Sequence, residues 1–72
     1  MKNDYLLDAL ISKLQGEVKL SKANIQVYLE NPVGIGEHPD VVGAIEMEIT
    51  RIAEAQEKME VAKLLMAGYV EE

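Results

Sequence analysis

The sequence predicts an all-α fold, an antiparallel two-helix hairpin that self-associates into a helical bundle. Three observations lead there. Apolar residues recur at helical spacing through two long segments; both prolines and two of the five glycines fall in the short stretch between them; and the chain of 72 residues contains no cysteine. That length admits one domain, 1–72, with a large surface for its volume. Chains this small draw extra stability from disulfides, a structural metal or oligomerisation. With no cysteine and a single histidine, oligomerisation remains.

The first helix is expected over 4–30. Asn3 or Asp4 can cap its start. No proline interrupts it, and Gly16 weakens its interior by about 1 kcal/mol without ending it. Leu7, Leu14, Ser21 and Tyr28 recur every seven residues, with Leu10, Ile11, Val18 and Ile25 beside them on the same face. Such a helix is about 40 Å long, too long for a compact globule of this size, so it needs a partner of equal length.

Residues 31–38 form the expected connector, with Pro32 ending one helix and Gly34 and Gly36 turning the chain. The second helix is expected over 39–67. Pro39 suits the first helical position, and Asp40 suits the positive first turn. Val41, Ile45, Ile52, Met59 and Met66 make its stripe, flanked by Val42, Ile49, Ala55 and Ala62. Gly68 reads as the stop, Tyr69 folding back on Leu64, and 68–72 as a loose tail. In an antiparallel hairpin with so short a connector, residues whose numbers sum to roughly 70 lie opposite each other. Lys22 then meets Glu48, Glu17 meets Arg51 and Asp8 meets Lys63, each exposed pair adding ~0–1 kcal/mol.

Some apolar residues lie off these stripes: Leu6, Leu20 and Val27 on the first helix, Met47, Val61 and Leu65 on the second. Together they mark an oligomer interface, most simply in a two-fold homodimer forming a four-helix bundle, with a trimer of hairpins as the alternative. Met47, Met59 and Met66 read as gap-filling core in preference to a promiscuous binding surface.

Catalytic chemistry is poorly supplied. Gly34-Ile35-Gly36 has the look of a phosphate loop, but no Lys or Ser/Thr follows, and Glu37 and Asp40 repel a phosphate. Glu37, His38 and Asp40 are the only candidate metal ligands, and they lack a remote fourth partner. Ser12 and Ser21 have no base in reach. Glu46, Glu48, Glu57 and Glu60 read as a solvated face, and the Glu-x-x-His motif of metal-binding bundles does not occur. No cofactor is expected. Val33, Ile35 and His38 either close the end of the helix pair or form a contact surface.

Thirteen acidic and seven basic residues give a charge of −6, which disfavours nucleic acid and anionic membranes as direct partners. The start of the chain, Met1-Lys2-Asn3-Asp4, leads straight into an amphipathic pattern with no secretory apolar run. No stretch approaches the ~20 apolar residues of a membrane span. A cytoplasmic location is expected, and the absence of cysteine fits it.

The unbroken run Asn24-Ile25-Gln26-Val27-Tyr28-Leu29-Glu30-Asn31-Pro32-Val33-Gly34-Ile35-Gly36-Glu37-His38-Pro39-Asp40, together with Ile52-Ala53-Glu54-Ala55-Gln56-Glu57-Lys58-Met59-Glu60, resembles small uncharacterised proteins of tailed bacteriophages. These include T4-like phages of the marine cyanophage type. The resemblance spans about two thirds of the chain. It implies a phage origin and a host-cytoplasm setting, and no reaction. The expected function is that of a non-enzymatic structural or interaction protein, such as a phage accessory or assembly factor. Two alternatives stand beside it: an adaptor binding a host or phage protein through 31–40 or the acidic face, and a metal- or ligand-binding loop.

Overall fold

The computed structural model describes residues 4–31 and 40–68. Two helices, α1 (Asp4–Glu30) and α2 (Val41–Met66), pack along their lengths as an antiparallel hairpin, and no strand occurs among the described residues. The molecule measures 50 × 22 × 15 Å with a radius of gyration of 16.0 Å. A compact chain of this length would have about 11 Å, so this is a rod.

One seam holds the rod together. On α1 it runs Leu7, Ile11, Leu14, Val18, Ser21, Ile25 and Tyr28; on α2 it runs Val41, Ile45, Glu48, Ile52, Ala55, Met59, Ala62 and Met66. Every one of these residues is buried or half-buried. The intervals alternate four and three, which is the heptad spacing of a coiled coil. A 3.5-residue repeat on a helix of about 3.6 residues per turn gives the pair a left-handed supercoil. Small residues on α2 receive large ones from α1: Leu14 and Val18 pack with Ala55, and Ile52 and Met59 close over them.

The seam is narrower than the expected stripes. Leu10, Val42 and Ile49 are exposed. Each lies one step around the helix from the heptad positions, and a single partner helix does not reach that far.

The start of α2 also differs from expectation. Helical geometry begins at Val41, and Asp40 is the N-cap: its Oδ1 accepts the Gly43 N–H at 2.9 Å, while its carbonyl accepts the first intrahelical bond from Ala44. Pro39 therefore precedes the cap instead of occupying the first helical position. A carboxylate at the N-cap satisfies an orphan backbone donor, which an acid inside the first turn does not. A Cβ on residue 43 would stand 2.3 Å from Asp40 Oδ2, so the cap relies on glycine there. At the other end Gly68 takes a φ of +88° and donates to the Leu65 carbonyl, a left-handed helix stop. The expected Tyr69 contact and the tail beyond it lie outside the described residues.

Gly16 has open space around its missing Cβ. Gly16→Ala is expected to stabilise the hairpin by about 1 kcal/mol through backbone entropy alone. Thermal melting followed by circular dichroism reads this as a rise of about 4–8 °C.

Candidate functional site

Where the heptad places Glu48, an apolar residue would ordinarily stand. Its carboxylate is only 3 % exposed. Arg51, one turn further along α2, donates from its guanidinium to Oε2 at 2.8 Å, and Asn24 reaches the same oxygen across the seam at 3.3 Å. Ser21, also buried, turns its hydroxyl toward the carboxylate from α1. Oε1 has no donor in hydrogen-bonding geometry, so Ser21 makes a looser polar contact than the other two. Burial pushes the Glu48 carboxyl up; the Ser21 hydroxyl, the Arg51 hydrogen bond and charge, and Asn24 together outweigh it and hold the group below the usual carboxylate range.

This layer replaces the cross-helix charge pairs expected from the sequence. Glu48 takes Arg51 and Asn24 in place of Lys22, and it is buried where a solvated face was expected. Glu17 pairs with Lys13 on its own helix in place of Arg51. The Lys13 hydrogen bond and charge lower the Glu17 pKa, with slight opposition from burial and a further contribution from Lys58 across the seam. Exposed side chains find a partner one turn away more cheaply than one on another helix.

One flank of both helices carries two grooves, and two others lie on the opposite flank beside Met59. Of the first pair, one lies near the helix ends and is lined by Leu7 and Leu10 of α1 and Val61, Ala62 and Leu65 of α2, with Glu54, Glu57 and Lys58 at its border. The second lies over the polar layer, between Leu20 and Asn24 on one side and Arg51 and Glu54 on the other. Leu6, Leu20, Val27, Met47 and Val61 are exposed and Leu65 is half-buried. Helical spacing puts all six on this flank, continuous with the grooves. The sequence showed these residues off the main stripes, but only the paired helices show that they share one face.

Of the candidate metal ligands, Glu37 and His38 lie outside the described residues, as do Val33 and Ile35 of the connector. Asp40 spends its Oδ1 on the cap. No group of three or more potential ligands gathers among the described residues. No described helix is long and apolar enough to cross a membrane. The fold and its face define a class: an antiparallel helical hairpin with one polar layer in its seam and an uncovered apolar flank. No protein-family model matches this chain, and no match is found among the curated proteins or the solved structures.

Proposed function

We infer that this chain is a non-enzymatic structural or interaction protein that works as a self-associated helical bundle. In the phage setting implied by its sequence resemblance, that makes it an accessory or assembly factor of the host cytoplasm. The observation that carries this reading is surface. The chain exposes 5683 Å², against about 4,450 Å² for a compact monomer of its mass. The difference is comparable to the ~800 Å² that each partner covers in a stable interface. Six of the eleven large apolar side chains exposed among the described residues share one flank, a contiguous apolar surface of the kind that marks an interaction site.

Sedimentation equilibrium over a micromolar concentration range tests the reading. A mass of two or more times 8.0 kDa is expected. A folded monomer at every concentration would remove it.

A further inference from the structure

Resting on that self-association, we propose that the flank bearing Leu6, Leu20 and Val61 is covered by a second copy of this chain, laid on it face to face about a two-fold axis. Six of the eleven large apolar side chains exposed among the described residues lie on this flank: Leu6, Leu10, Leu20, Val27, Met47 and Val61. They form two patches. Leu6, Leu10 and Val61, with the half-buried Leu65, stand near the free helix ends; Leu20, Val27 and Met47 stand toward the connector end.

Between the patches lie charges of both signs. Lys13 is paired with Glu17 on α1, Arg51 is bonded to Glu48 on α2, and Glu54 and Lys58 complete the set. These are three acids and three bases, so the excess charge of −6 resides off this flank, with Glu57 at its rim. Two acidic chains can therefore meet here without strong repulsion.

The order apolar, mixed charge, apolar is self-complementary. A two-fold axis along the rod or across it lays apolar on apolar and mixed charge on mixed charge in either case. A two-fold pair needs only this one face, while a ring of three needs it to fit a different face of the next copy. The opposite flank orders its residues differently: beside the seam, Leu29, Val42 and Ile49 gather in the connector half, while Asp8, Gln15, Lys22, Gln56 and Lys63 run from the middle to the free ends, all exposed. The dimensions suffice as well. A face of 50 by 22 Å offers on the order of 1,000 Å² per chain, above the ~800 Å² typical of one side of a stable pair.

The lack of cysteine makes the test clean, because a single introduced thiol reports one position. Val61→Cys sits on the proposed face, and Val42→Cys sits on the other flank at a site 79 % exposed. Each variant is labelled with a maleimide at rising protein concentration, with mass followed in parallel by sedimentation. The expected result is a mass of two chains, with Val61→Cys labelling slowed on the order of tenfold when nine tenths of the chains are paired, since only the free chain reacts. Val42→Cys labelling stays constant. A doubled mass with Val61→Cys unprotected, or with Val42→Cys protected in its place, overturns the assignment of the face while self-association stands. A mass of three chains overturns the two-fold pairing. A monomer throughout overturns the self-association on which the proposal rests.

Discussion

Leu14→Ala is expected to abolish the folded hairpin. Leu14 is 2 % exposed and, among the described residues, belongs to a buried apolar set of five, with Ile11, Val18, Ala55 and Ala62. Its partner in the layer is Ala55, whose methyl cannot expand into the space, so only Ile52 and Met59 at the edges of the layer can fill it in part. Truncation of a buried leucine costs about 2–5 kcal/mol, the upper values arising where neighbours cannot collapse. A core this small supplies no more than roughly 3–5 kcal/mol of net stability. Far-UV circular dichroism of the dilute protein should show most helical signal lost at room temperature. Leu29→Ala, at a position 64 % exposed on the opposite flank, serves as the comparison and should keep its helix content. Equal loss in both variants would mean that the seam is not where the stability resides.

Glu48→Leu is expected to act in the opposite direction. It replaces a buried carboxylate, one of whose oxygens lacks a donor, with the apolar side chain that the heptad position favours. Arg51 is not stranded by the change, because its side chain is 57 % exposed and hydrates readily. Exchanging a buried ionic group for a well-packed apolar one is neutral or stabilising by about 1–4 kcal/mol. Arg51→Ala, which instead removes the charged donor and leaves the carboxylate buried, should destabilise by about 1–3 kcal/mol. The melting temperatures of the two variants should thus fall on opposite sides of the parent.

The pH dependence follows from the same group. The folded-state pKa of Glu48 is depressed, so the unfolded chain takes up the proton first. The stability contributed by ionised Glu48 is present in full above the ordinary glutamate range, and it is lost as the pH falls from about 4 through the lower folded value. Acid unfolding of the parent should be steeper there than that of Glu48→Leu. A variant that melts below the parent at neutral pH would show that the polar layer is a net stabiliser.

The hairpin was legible in the sequence because its information is redundant. Seven-residue recurrence appears on both helices, and both prolines fall between them. The position of Glu48 was legible too, though less plainly. Residues 41, 45, 52, 55, 59, 62 and 66 leave one gap in an alternating four-and-three spacing, and Glu48 fills it. Ser21, the one polar member of the first stripe, lies opposite by the same sum of about 70. Residue type argued for solvent and position argued for the seam, and packing made position prevail. The charge pairs were not legible, since long exposed side chains choose among several partners of nearly equal energy. Asp40 was assigned to the first turn because a proline before an acid suits two alignments one residue apart. Only the bond from Gly43 decides between them.

The polar layer also acts as an index mark along the seam. Sliding α2 by one heptad would preserve most of the apolar spacing, because Leu, Ile, Ala and Met recur every seven residues on both helices. It would bring Glu48 opposite Leu14 or Tyr28 in place of Ser21, away from Asn24, burying the carboxylate with fewer donors. A repetitive seam that tolerates slippage by composition is thereby confined to one alignment by a single acid. Glu48→Leu should erase that mark, giving a hairpin that melts later yet whose seam resonances in solution report more than one alignment of its two helices.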